Sequence, residues 1–286
     1  MVNAGKFCRE WGETMRLAST FIAPALAAGA FLALAADADA ARLLGTLGRG
    51  GTPSTLVEID QATGLVTSTI GSVGFAINGM DFDPVSGRLF GVVSNRDPSG
   101  IGLVEINTTT GAGTRVGPVG YGGIGSPALT ELAISGTGRA FSWGEPSEDE
   151  LYEIDLATGL AVRVGEADLG TGTHGMAFDL AGALYFINGG GDTYVIDVTT
   201  GASAFQYGLN QTAHHGDVDP DTGLYYGLDR NSDPVSLVVV DLALGQLLET
   251  YGGVEGLHTL AFIPTPASLA LLGFGLLGLA LARRRA

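Results

Sequence analysis

Lysine is almost missing from this chain. Its 286 residues include one, Lys6, and positive charge is carried otherwise by arginine. Between residues 41 and 263 there are 26 acidic residues against 8 arginines. A surface that negative repels nucleic acid and anionic lipid, and suits cations or neutral sugars. Cysteine is also single, at Cys8, so no disulfide can staple the chain internally. Helical periodicity is absent from 41–263, which is rich instead in glycine and β-branched residues. The usual catalytic signatures are lacking too: no Gly-x-Ser-x-Gly elbow, no phosphate loop, no His-Glu-x-x-His. One match to the dinucleotide fingerprint, Gly273-x-Gly275-x-x-Gly278, lies inside an apolar tail with no preceding strand, so it carries nothing.

What is present divides the chain in three. Arg16 is followed by a mostly apolar stretch from Leu17 to Ala35 and then by Ala38-Asp39-Ala40, a small-x-small cleavage pattern. Residues 1–40 therefore read as an export signal cleaved after Ala40, with cleavage after Ala38 as the alternative. Met15 opens a better-proportioned signal than Met1. An uncleaved membrane helix is the other reading of this segment. At the far end, Pro264-Thr265-Pro266 precedes an apolar run from Ala267 to Ala282, then Arg283, Arg284 and Arg285. Sixteen residues make about 24 Å of helix, near the thickness of a bilayer core, and the arginines hold their end in the cytoplasm. The stretch between would then lie outside it.

A short proline motif, one membrane-length helix and a terminal arginine cluster resemble the PEP-CTERM sorting signal of Gram-negative bacteria. The middle residue departs from that pattern, Thr265 standing where the family has glutamate. The resemblance covers 264–286 only. It implies processing by an exosortase-type membrane protease, anchoring through helix 267–282 before processing, and a place at the cell surface or in a secreted, exopolysaccharide-rich, biofilm-like matrix. An ordinary C-terminal membrane anchor is the alternative.

The remaining 41–263 stretch is long enough for one domain with a sizeable core. It repeats. A strand ending in Asp or Asn is followed, four residues on, by Gly: Asp60/Gly64, Asn107/Gly111, Asp155/Gly159, Asp197/Gly201 and Asp241/Gly245. The glycines are 47, 48, 42 and 44 residues apart. A second motif, an apolar segment, a glycine turn and an aromatic strand, begins at Met80, Leu132, Met176 and Gly216, and a fifth copy stops at Phe262. Four short strands per ~45 residues is the arithmetic of a propeller blade. The chain is similar to the broad β-propeller class, whose blades often carry such Asp-x-x-Thr-Gly turns. The expected fold is all-β, about 20 strands in five four-stranded blades. The ring should be closed by strands from both chain ends, with residues 42–70 sharing a sheet with 257–263. The glycine-rich stretch 112–131 is the place to expect irregularity.

The candidate chemistry lies in the histidines. His174, His215 and His258 precede inner strands in similar register, with His214 one residue before His215; Asn78 and Thr130 hold the matching positions in the other two blades. Side chains there would ring one mouth of the central channel. Three converging imidazoles could hold a divalent metal, or bind a sugar or a carboxylate; if they do not converge, each simply caps a strand. Glu131, Asp217 and Asp81 lie nearby, on faces the alternation does not decide. Asp217, Asp219 and Asp221 have the alternate spacing of a calcium loop. The near-copy at Asp81-Phe-Asp83-Pro, ending in Gly87, favours a structural turn instead. Asn107-Thr-Thr and Asn210-Gln-Thr match glycosylation acceptors but mean little in a bacterial chain. Two functional classes follow: a non-catalytic exported propeller that binds a glycan or surface protein, or a lyase or hydrolase with a metal or ligand site at the channel mouth.

Overall fold

The computed structural model describes residues 40–48, 50–120, 128–145, 150–167, 169 and 174–265. The predicted signal (Ala40 apart), Pro266, the predicted helix 267–282 and Arg283–Arg285 lie outside the described residues.

The chain forms five antiparallel sheets arranged as a propeller. Blade 1 contains β1 (Arg42–Leu47), β2 (Thr55–Ile59) and β3 (Val66–Ser72). Blade 2 is β4 (Ile77–Asp83), β5 (Arg88–Val93), β6 (Gly102–Ile106) and β7 (Gly113–Pro118). Blade 3 is β8 (Ala128–Leu129), β9 (Ala133–Ile134), β10 (Ala140–Glu145), β11 (Glu150–Ile154) and β12 (Ala161–Glu166). Blade 4 is β13 (Gly175–Phe178), β14 (Leu184–Ile187), β15 (Asp192–Ile196) and β16 (Ser203–Gly208). Blade 5 is β17 (His214–Val218), β18 (Tyr225–Asp229), β19 (Val235–Asp241) and β20 (Gln246–Val254). The last strand, β21 (Leu257–Ile263), returns to blade 1 and pairs with β1, Leu43 opposite Phe262 and Gly45 opposite Leu260. Both chain ends of the domain thus share one sheet, as the repeat register predicts.

Blade 3 is the irregular one. Its inner strand is split into β8 and β9: Thr130 N–H still donates to Trp143 O of β10 (2.9 Å), but the regular pairing is interrupted at Glu131 and Leu132. The backbone of Glu131 and Leu132 presses against blade 2 there. A Cβ on Gly79 would stand 2.6 Å from Leu132 N and 2.7 Å from the Glu131 carbonyl carbon, so only glycine fits.

The Asp-x-x-x-Gly turns have a local cause. The Asp60 carboxylate accepts from the amides of Ala62 (2.8 Å) and Thr63 (2.9 Å), while Gly64 N–H donates to Asp60 O and turns at φ 70°. Asn107 and Asp155 cap their own turns in the same way. Several of these turns also fasten blades together. Thr110 O lies against Gly71 of β3, Thr158 O against Gly117 of β7, and Thr200 O against Gly165 of β12. In each case the turn of one blade covers a glycine on the outer strand of the blade before it.

The core is not a single mass. Five apolar clusters lie in the five seams between neighbouring blades. Strand alternation supplies them: Leu43 and Val57 of blade 1 face blade 5, while Leu44 and Leu56 face blade 2. Each blade is therefore apolar on both faces, which explains why its strands read as nearly continuous hydrophobic runs.

Gly165→Ala should destabilise the domain by about 1–3 kcal/mol, since its Cβ would overlap Thr200 O. Gly136→Ala, exposed and with nothing within 4 Å of the new Cβ, should stay within about 0.5 kcal/mol of the parent. Urea denaturation of both variants checks this; equal midpoints would contradict the turn-on-strand contact.

Candidate functional site

The inner strands β21, β4, β9, β13 and β17 surround the central channel, and among the described residues their inward edges have no partner strand. Backbone groups there must find other partners. Two carboxylates serve. Asp81 on β4 accepts from Phe82 N (2.6 Å) and from Ile134 N of blade 3. Asp217 on β17 accepts from Val218 N and from Phe262 N of blade 1, each at 2.7 Å. The equivalent positions on the other inner strands are Ala133, Ala177 and Ala261. Burial pushes Asp81 well above the usual carboxylate range, and the charge of Asp217 pushes it further. Burial also raises Asp217, to about 7.

Three residues nearer one mouth lies the histidine layer. Its contacts run around the ring, each crossing one seam. Asn78 donates from Nδ2 to Leu129 O (3.0 Å), from blade 2 to blade 3. Thr130 Oγ1 and His174 Nε2 are 2.7 Å apart, from blade 3 to blade 4. His215 N–H donates to His174 O (3.0 Å), from blade 5 to blade 4. The His215 and His258 rings lie 5.1 Å apart, tilted by 30°, from blade 5 to blade 1. The predicted residues are thus contiguous, but they do not act alike. His174 stacks on Phe186 (4.9 Å) and meets the edge of Trp143 (5.9 Å). It is held by packing as much as by polarity.

His215 departs from the expected register. His214 pairs with Leu228 and Asp217 with Tyr226, so His215 sits in a bulge. Its φ is 48°, the left-handed region that bulges usually give to glycine. The bulge turns the buried imidazole inward. Its Nδ1 lies 2.5 Å from Glu131 Oε1, the carboxylate of blade 3, which is not a neighbour of blade 5. Glu131 therefore spans the channel. The contact is close but off the line of a well-directed hydrogen bond. Burial lowers the His215 pKa well below the ordinary value, helped by His258 and Arg230, so the imidazole is neutral at pH 7. Burial and the Arg230 charge lower His214 to about 4. Among the described residues, both ring nitrogens of His214 are buried without a hydrogen-bond partner, and so is His215 Nε2.

The three-histidine metal set is not assembled. Thr130 engages His174 Nε2, and among the described residues no three His, Cys, Asp or Glu side chains are grouped to hold a metal ion. The alternate carboxylates of the calcium-like loop are dispersed as well. Asp217 reaches Phe262, Asp219 caps its own turn through Asp221 N (2.9 Å) and Thr222 Oγ1 (2.7 Å), and Asp221 accepts from Ala41 N (2.8 Å). Sequence reasoning noted Glu131 but could not aim it. The only signal available was that Glu131 occupies the position held by Gly79 in blade 2 and Gly175 in blade 4.

No protein-family model matches the chain. No curated protein matches it either. Among solved structures it is similar to a chain of a nidogen/laminin complex, with 13% identity and a TM-score of 0.52, covering 78% of this chain and 98% of that one. It is also similar to TolB from Acinetobacter baumannii (12% identity, 82% and 70% covered, TM-score 0.47). Hydrazine synthase from Kuenenia stuttgartiensis is a third (16%, 62% and 49%, 0.41). At these identities the likeness is one of fold.

The two buried layers titrate in opposite directions. An unfolded imidazole takes its proton near pH 6.5, whereas folded His214 resists it until about 4. Its contribution to stability is full above 6.5 and is lost as the pH falls between those values. Folded Asp217 keeps its proton up to about 7, whereas the unfolded carboxyl loses it near 3.8. Its contribution is full below 3.8 and is lost as the pH rises toward 7. Asp217→Asn should therefore gain stability relative to the parent between pH 4 and 7.5, on the order of a few kcal/mol. Denaturation midpoints across that range test it; a difference independent of pH would refute the buried protonated carboxyl.

Proposed function

We infer that the chain is an exported, non-catalytic propeller that binds a neutral, hydroxyl-rich ligand, a matrix glycan, at the histidine-lined mouth of its channel. The observation that carries this reading is the buried histidine circuit. It joins four of the five seams, and both ring nitrogens of His214 and Nε2 of His215 have no hydrogen-bond partner among the described residues. Neutral imidazoles offer donors and acceptors at one pH, which suits sugar hydroxyls. The excess of acidic residues over arginine disfavours nucleic acid as a partner.

Export and sorting belong to the same reading. Residues 1–40 direct the chain out of the cytoplasm. Pro264-Thr265-Pro266, the apolar run and Arg283, Arg284 and Arg285 are read by an exosortase-type protease. The membrane holds the protein through 267–282 until that cut, after which it stays at the surface or enters an exopolysaccharide matrix. Intact-mass measurement of the exported protein should show the arginine tail gone; a mature form that retains Arg283 would leave the tail as a plain anchor.

A second reading has one observation in its favour. Glu131 beside His215 Nδ1 would orient that imidazole and leave Nε2 as a base, the arrangement of a hydrolase or lyase. Calorimetry with fragments of the host's own exopolysaccharide separates the two readings. Saturable binding without turnover, weakened about tenfold or more in His258→Ala at an unchanged melting temperature, supports the binding protein. Turnover that disappears in His215→Gln while binding persists supports the enzyme. No saturable binding by the parent overturns both.

A further inference from the structure

We propose that export processing creates a structural group: the α-ammonium of Ala41, released by cleavage after Ala40, is an ion-pair partner of Asp221 that locks the seam between blades 5 and 1. The proposal rests on the exported reading above but concerns a contact that reading does not need.

Three observations meet at this position. Ala40 is exposed, whereas Ala41 is 2% exposed and belongs to the apolar cluster of the seam. Both backbone groups of Ala41 are gripped. Its N lies 2.8 Å from Asp221 Oδ2, across 180 residues, and its carbonyl accepts from Gln61 Nε2 of the first Asp-Gly turn. The small-x-small pattern of Ala38-Asp39-Ala40 places the expected cut at this same bond.

Hydrolysis of the Ala40–Ala41 amide by a leader peptidase consumes one water. Its hydroxyl goes to the Ala40 carbonyl, which leaves as a carboxylate, and the Ala41 nitrogen becomes an ammonium. A neutral N–H···O contact thereby becomes a charge-assisted one, roughly twice as strong, at the place where the ring is closed. Other fasteners of the seam include the Asp217 bond to Phe262 N and the edge contact of Tyr226 with Phe262, at 5.1 Å between centroids. The ammonium joins chain start to blade 5 beside them.

The composition makes the test direct. The only lysine is Lys6, upstream of the cut, so Ala41 carries the only primary amine of the processed protein. Full-length chain is expressed, and the exported form is recovered, weighed and acylated with an N-hydroxysuccinimide ester over a range of pH. The expected form begins at Ala41. Its amine should titrate above the ordinary value of about 8, and Asp221→Asn should label about tenfold faster near pH 7.5. Where Asp221→Asn is not recovered, the midpoint of the parent alone decides. A parent midpoint at or below the ordinary value, or equal labelling of parent and variant, overturns the ion pair and leaves the export reading intact. A mature form that starts elsewhere overturns the proposal, and one that retains residues 1–40 overturns the cleaved-leader reading with it.

Discussion

A blade with two apolar faces buries both only if it has a neighbour on each side. Blades 2, 3 and 4 obtain theirs from chain continuity. Blades 1 and 5 do not, and the pairing of β21 with β1 supplies what is missing. Without it, Leu43, Val57, Leu237 and Val239 would face water, and the inner edge of β1 would be an open template for another strand. Every other seam is built in the same way, but this one alone joins opposite ends of the domain. Of its polar fasteners, Asp217 to Phe262 joins strands that the chain already links through β20, whereas Asp221 to Ala41 joins blade 5 to the first residues of the domain.

Closure has a consequence at the axis. Five inner strands converge with unpaired edges, and side chains must serve those edges. The midpoint of each strand shows how tightly space is rationed: three alanines and two aspartates. The aspartates accept backbone amides of neighbouring blades and hold protons that carboxyls in water would lose. Nearer one mouth, Glu131 can cross the channel because the bulge at His215 brings an imidazole to meet it. The strained φ of His215 is sustained by the surrounding ladder, and it aims a neutral, buried base where a regular strand would have placed it elsewhere. The residues of the proposed site and the contacts that close the ring therefore lie on the same inner strands.

The shared first sheet was read from where the first copy begins, at Arg42, and where the second motif stops, at Phe262. Blade count and turn positions came from the repeats themselves, which depend on chemistry within about ten residues: an Asp that caps its own turn, a Gly that accepts φ > 0, and a two-residue alternation. Register of the polar residues near Asn78, Thr130, His174 and His258 was legible for the same reason. The fate of each side chain was not. His174 is occupied by Thr130 and Phe186, and His215 stands in a bulge that shifts it by one place. Asp217, Asp219 and Asp221, spaced like calcium ligands, go to three different partners. Spacing along a strand says which residues share a level. It says nothing of the strand that will lie opposite.

The sequence by itself therefore determined an all-β ring of five blades and the level at which His174 and His258 lie, because strand period and turn chemistry are local. The tertiary structure alone decided that Glu131 spans the channel to His215, that Asp81 and Asp217 share a buried environment, and that Asp221 meets Ala41 across 180 residues. Those contacts exist only once the ring is closed. Their energies come from burial and from charges brought together out of water, quantities that no residue carries before it has neighbours.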